Sequence, residues 1–223
     1  MRGDLVNAIF LQLEQHKLTY AVLRGANNLQ DGTSDIDLWM SRRDLNLFTN
    51  ITENERQRFK LRTSLTYSYK CLRISFYSVE SLVVEFDIFF EIRRIFFEIV
   101  PNELILNHIE DRNGIKVLKN SVAFLIILNK EFITYGKLRS QTRREYEMFQ
   151  CDTCFKHEIM EFARRYGLMS SKVIECPPEN YDKVKLTLEY LRRKKTLIIL
   201  KDIFVWYLCN KTNVLKFWNS YHE

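Results

Sequence analysis

Leu23-Arg24-Gly25-Ala26-Asn27-Asn28-Leu29-Gln30-Asp31-Gly32-Thr33-Ser34-Asp35-Ile36-Asp37-Leu38-Trp39-Met40 is the stretch on which the fold turns. An apolar run ends at Gly25, a polar loop follows, and Asp35 to Met40 returns as an alternating strand. On a strand, successive side chains point to opposite faces, so Asp35 and Asp37 share one face while Ile36 and Leu38 point into a core. Their Cα atoms are expected roughly 6.6 Å apart, two strand rises. Two carboxylates at that spacing repel unless a cation lies between them, and a hard divalent ion with oxygen ligands suits them. A calcium loop beginning at Asp31 fails, because Ile36 stands where glycine is required and Arg42 where the bidentate Glu belongs.

Outward from this stretch, the pattern predicts a helix over 4–17 with Asp4 as N-cap and Val6, Ile9, Phe10 and Leu13 as its apolar stripe. Thr19 to Leu23 reads as a short buried strand. Ser41 followed by Asp44 resembles a capping box for a helix to about Thr52. Strands are expected at Leu61 to Tyr67, Lys70 to Tyr77, Leu82 to Phe90 and Phe96 to Val100. Pro101 opens a short helix, and Gly114 to Leu118 reads as a small edge strand. Glu85 and Asp87 interrupt an otherwise apolar strand, and carboxylates in such a setting need a partner because an unpaired buried charge is costly.

From Ser121 the period changes to helical. Ser121 to Tyr135 is closed by Gly136 as C-cap. Lys137 to Gln150, Thr153 to Tyr166, Tyr181 to Leu191, Thr196 to Cys209 and Asn213 to Tyr221 follow, broken by Cys176-Pro177-Pro178. The expected class is α+β: a mixed sheet flanked by helices over 1–118, then a helical domain over 119–223.

Composition narrows the function. Gly and Pro number only 6 and 3 in 223 residues, which argues against disorder and against an all-β fold with many tight turns. No uncharged apolar stretch reaches spanning length, and residues 1–20 lack a secretion signal's apolar block. Five cysteines, an odd number, suggest reduced thiols and a cytoplasmic protein. Cys151, Cys154, His157 and Cys176 are considered as zinc ligands, but the set is ragged and falls in a helical pattern. The net charge of +6 is carried by the segment from Lys183 onward, where nine Lys/Arg face Glu189, Asp202 and Glu223. Basic and aromatic residues over 192–218 read either as a core helix or as a peripheral contact with an anionic membrane at its inner face. Nucleic acid ranks below, since aromatics interleave poorly with the basic residues.

Gly25 followed after about ten residues by Asp35-Ile36-Asp37-Leu38, with Asp87 in a later strand (Glu85-Phe86-Asp87-Ile88), resembles the nucleotidyltransferase superfamily typified by DNA polymerase beta and the aminoglycoside nucleotidyltransferases. Ala26 departs from the Gly or Ser usual after the first glycine. More narrowly, Leu23-Arg24-Gly25, Ser34-Asp35-Ile36-Asp37-Leu38 and a helix ending in Gly136-Lys137 resemble nucleotidyltransferase-like proteins of bacterial surface-polysaccharide clusters.

The resemblance implies a Mg²⁺ (or Mn²⁺) enzyme that transfers a nucleotidyl or related phosphoryl-type group from a nucleoside triphosphate. Asp35, Asp37 and Asp87 are the implied metal-binding and catalytic residues, since two ions about 3.5–4 Å apart can activate an attacking oxygen and steady a departing one. Gly25 lets the backbone approach a phosphate and Ser34 donates to one. Arg24, Lys130, Lys137 and Arg139 are candidates to offset phosphoryl charge, Lys130 first because it interrupts an apolar helix. The acceptor implied is a glycan or lipid-linked glycan. Two alternatives stay open: a silent binding or regulatory module (a toxin–antitoxin mate or a glycan-assembly partner), and a metal-dependent glycosyltransferase using a nucleotide sugar.

Overall fold

The computed structural model describes residues 1–24, 29–30, 35–67, 71–79, 81–94, 97–135, 137–150, 152–168 and 174. In chain order the elements are α1 (Arg2–Gln15), β1 (Tyr20–Val22), β2 (Ile36–Met40), α2 (Leu45–Arg58), β3 (Arg62–Tyr67), β4 (Leu72–Tyr77), β5 (Leu82–Phe89), β6 (Ile92–Arg94), β7 (Phe97–Val100), α3 (Asn102–Leu106), β8 (Ile109–Arg112), β9 (Ile115–Leu118), α4 (Asn120–Tyr135), α5 (Ser140–Gln150) and α6 (Thr153–Arg165). The class is α+β. The chain divides into two compact units: Met1–Glu91 with Ile109–Leu118, and Ile92–His108 with the described chain from Lys119 onward.

The first unit is built on a seven-stranded mixed sheet in the order β3-β4-β5-β2-β1-β9-β8. β2 runs parallel to β5 with Asp37 opposite Asp87, while β4 runs antiparallel to β5 with Arg73 opposite Asp87 and Ser75 opposite Glu85. Alternation then sorts the side chains. The even positions Ile36, Leu38, Ile74, Phe76, Val84, Phe86 and Ile88 join one apolar cluster with Leu5, Val6, Ile9, Phe10 and Leu13 of α1 and Phe48 and Ile51 of α2. Phe86 is the hub of that core: its ring lies 6.5 Å from Phe10, 6.4 Å from Phe48 and 6.1 Å from Phe76. The odd positions Asp37, Arg73, Ser75, Glu85 and Asp87 are thereby placed on the opposite face.

The helices α1 and α2 end alike. After α1, Lys17 takes φ 55 and Leu18 N–H donates to the Leu13 carbonyl at 2.9 Å; after α2, Lys60 takes φ 54 and Leu61 N–H donates to the Arg56 carbonyl at 3.0 Å. These are Schellman caps in which a lysine occupies the left-handed position that glycine fills at no steric cost.

Several local expectations are corrected. Asp4 is no cap; it lies in the first turn of α1, where the helix dipole favours a carboxylate. Ser41 and Asp44 form no capping box: a 3-10 turn over Arg42–Asp44 precedes α2, and the Asp44 carboxylate instead accepts from the Thr19 N–H at 2.8 Å. The strand at 115–118 is no edge, because β8 pairs outside it. Asn113 (φ 56) and Gly114 (φ 76) join β8 to β9, and an Asn-Gly pair suits such a two-residue hairpin turn because both residues tolerate positive φ.

In the second unit, β6 and β7 form an antiparallel pair. Glu131 on α4 is buried, and its carboxylate accepts from Arg139 N–H at 2.8 Å, Arg139 Nε at 2.6 Å and Thr142 Oγ1 at 2.7 Å. It thus supplies acceptors at the start of α5, where helix N–H groups lack partners. Asp152 caps α6 by accepting from Phe155 N–H at 3.0 Å. The expected cap at Gly136, the helices expected beyond residue 180, the basic segment 192–218, and Cys151 and Cys176 lie outside the described residues. Cys154 is a free, exposed thiol. No helix among the described residues is long and apolar enough to cross a membrane.

Candidate metal centre

The sheet brings carboxylates from two parallel neighbours to one place. Asp35 stands exposed immediately before β2, and Asp37 follows two residues on, buried within it. Glu85 and Asp87 come from β5, on the same face as each other by alternation. One carboxylate oxygen from each of Asp35, Glu85 and Asp87 lies within 4.8 Å of the others. Among the described residues this is the group of carboxylate, imidazole and thiol ligands close enough to hold a metal ion.

Two arginines answer the charge. Arg73 Nε donates to Asp87 Oδ1 at 2.7 Å and Arg73 Nη2 to Asp87 Oδ2 at 2.8 Å, while Nε also lies 3.2 Å from Glu85. Ser75 Oγ donates to Glu85 at 2.7 Å. These partners come from positions directly opposite in the β4–β5 ladder, and they explain how two carboxylates are tolerated in so apolar a strand. The hydrogen bonds with Asp87 push the Arg73 guanidinium above its ordinary value, so it stays charged throughout the working pH range. On the other side, Arg24 Nε makes a close ion pair with Asp37. The pairing is set up by the backbone, because Leu23 N–H donates to the Asp37 carbonyl at 2.9 Å and Arg24 follows directly.

Four carboxylates (Asp35, Asp37, Glu85, Asp87) therefore meet two guanidiniums (Arg24, Arg73), which leaves a formal excess of two negative charges among these six groups. An all-oxygen donor set with that excess fits a hard divalent cation such as Mg²⁺ or Mn²⁺. Asp35, Glu85 and Asp87 are the residues placed to hold it.

The expected site residues fall out as follows. Asp35 and Asp87 share the acidic group, and Asp37 lies in register with Asp87 but engages Arg24. Gly25 and Ser34 lie outside the described residues. Lys130, Lys137 and Arg139 belong to the second unit. Lys130 is exposed, so solvent accounts for the charge that interrupts its apolar helix, and Arg139 is bonded to Glu131. Glu85, Arg73 and Ser75 were not anticipated as site residues. Their signal was present: period-two spacing in 73–75 and 85–87 puts each pair on one face, but only the β4–β5 register sets them against each other.

The chain matches no family model and no curated protein. Two solved structures align with it over most of their length. One, a "putative nucleotidyltransferase" from H. pylori, is 11% identical with a TM-score of 0.40, covering 92% of this chain and 96% of that one. The other, JHP933 from Helicobacter pylori, is 12% identical with a TM-score of 0.32, covering 94% of this chain and 95% of that one.

Proposed function

We propose that this chain is a divalent-metal-dependent transferase of the nucleotidyltransferase type, moving a nucleotidyl or related phosphoryl-type group from a nucleoside triphosphate to an acceptor. The observation that carries the reading is the convergence of Asp35, Glu85 and Asp87 within 4.8 Å across two parallel strands. The spacing from Gly25 to Asp35-Ile36-Asp37 supports it by resemblance. A Mg²⁺ or Mn²⁺ ion held there supplies Lewis-acid stabilisation of phosphoryl oxygens. Arg24 and Arg73, with half-exposed side chains, offer guanidinium donors to a polyphosphate. Asp37 holds Arg24 in place. A glycan or lipid-linked glycan is the proposed acceptor, with cytoplasmic chemistry near an anionic membrane as its setting.

Calorimetry with Mn²⁺ and Mg²⁺, followed by product analysis with each nucleoside triphosphate, tests the reading. Metal binding that is lost in Asp35→Asn and Asp87→Asn, together with turnover lost in the same variants, is the expected result. Undiminished turnover in the double variant overturns it.

One observation favours a second reading, a silent binding module on the same fold: Arg73 and Arg24 already give Asp87 and Asp37 cationic partners from within the chain. No response to either metal or to any triphosphate supports that reading. Preference for a nucleotide sugar over the free triphosphate points instead to glycosyl transfer.

A further inference from the structure

We propose that Arg73 is an internal counter-cation that competes with the divalent ion for Glu85 and Asp87, and that it is handed over to the polyphosphate of the substrate when the ion enters. This rests on the reading of the acidic group as a metal centre.

The geometry carries the argument. Of the three carboxylates that converge, two are already engaged by one guanidinium: Asp87 through both oxygens at 2.7 and 2.8 Å, and Glu85 at 3.2 Å. A fork-to-fork pair of this kind is among the stronger ionic contacts a side chain makes. An ion that takes the same oxygens must share them with a fixed positive charge or displace it. Sharing is opposed by cation–cation repulsion at a few ångströms, which is not small beneath a partly desolvated surface.

Displacement is open to Arg73. Its side chain is 45% exposed, whereas those of Glu85 and Asp87 are 19% and 9% exposed, so the acids are fixed by the sheet and the arginine is the member free to swing. A displaced guanidinium needs a new anionic partner. The phosphate chain of a nucleoside triphosphate bound at the same centre provides one with matching planar donors and acceptors. Metal alone must break the Arg73 pair without compensation; metal arriving with triphosphate breaks it and replaces it. Arg73 thereby makes ion binding and polyphosphate binding mutually reinforcing.

The sign of two affinities tests this. In Arg73→Gln, Mn²⁺ alone should bind about tenfold tighter than in the native chain, and the preformed Mn²⁺ complex of a non-hydrolysable triphosphate should bind about tenfold weaker, a coupling within the usual range for linked sites. Arg73→Lys keeps the charge but loses the fork, and should fall between the two. Mn²⁺ should also restore more of the melting temperature in Arg73→Gln than in the native chain, since the variant leaves the carboxylates unbalanced.

Calorimetry and paramagnetic resonance of Mn²⁺ read these without any turnover, and Arg73→Lys carries the same comparison if Arg73→Gln does not fold. A purely structural Arg73 weakens both affinities, which overturns the inference. Equal Mn²⁺ affinity in native and variant chains also overturns it, while leaving the metal centre standing. Absence of Mn²⁺ binding in native and variant chains alike overturns both.

Discussion

Arg73 and Asp87 stand directly opposite one another in the β4–β5 ladder, and their side chains close a two-pronged ion pair at 2.7 and 2.8 Å. The same aspartate is opposite Asp37 on its other neighbour. One residue of β5 thus joins a cation on one side to a carboxylate on the other.

Neutralising that residue should be felt in the metal-free protein. Asp87→Asn keeps the shape but weakens two charge-assisted bonds, and a loss of about 1–3 kcal/mol is expected. The exposure of Arg73 places the result toward the lower end, because water can re-solvate the guanidinium. Urea unfolding at low ionic strength measures it, and an unchanged midpoint contradicts the pair's structural weight.

Core and site should separate energetically. Phe86 contacts rings from α1, α2 and β4 at once, so Phe86→Ala leaves a cavity under both helices. The expected cost is about 3–5 kcal/mol. A shift in the urea midpoint at constant slope is the measurement. Because position 86 points away from the acidic face, Mn²⁺ affinity of the folded variant should stay within about threefold of native, well under 1 kcal/mol.

Stability can be gained at the helix ends. Lys60 holds φ 54 at the cap of α2, a conformation that costs a non-glycine residue energy. Lys60→Gly should stabilise the first unit by roughly 0.5–1 kcal/mol, the strain relieved being partly offset by glycine's greater freedom in the unfolded chain. A lower thermal midpoint in this variant counts against the assignment of strain there.

Acid should act on the second unit through Glu158. Burial by itself lifts this carboxyl, but the hydrogen bond and ion pair with the Lys119 ammonium, together with the neighbouring Ser121 hydroxyl and His108, more than offset that and hold it below the ordinary value of 4.5. A depressed carboxylate adds stability that is present above its unfolded pKa and lost as pH falls through the folded one. The loss belongs below pH 4.5. Glu158→Gln should therefore flatten the acid limb of a stability–pH curve while lowering stability at neutral pH, and an unaltered acid limb refutes the linkage.

The α+β class, the order of the early elements and the odd-position acids of 35–37 and 85–87 were all legible in the chain, because strand alternation and helix periodicity are local. Local chemistry misled at Ser41 and Asp44, where a long-range acceptor role toward Thr19 replaced a helix cap. The Asn113-Gly114 turn was a local signal for a hairpin, yet that β9 lies inside the sheet depends on β1, far away in sequence.

By itself the sequence determined which residues could be acidic, apolar or turn-forming on each element, since those properties depend on side-chain chemistry and a two- or 3.6-residue repeat. Only the tertiary structure decided who meets whom. The parallel register of β2 with β5 brings Asp37 opposite Asp87, and the antiparallel register of β4 turns Arg73 and Ser75 toward Asp87 and Glu85. The physical reason is that strand register is fixed by burying the even-numbered side chains around Phe86, and a one-residue slip would send every one of these charges into that core.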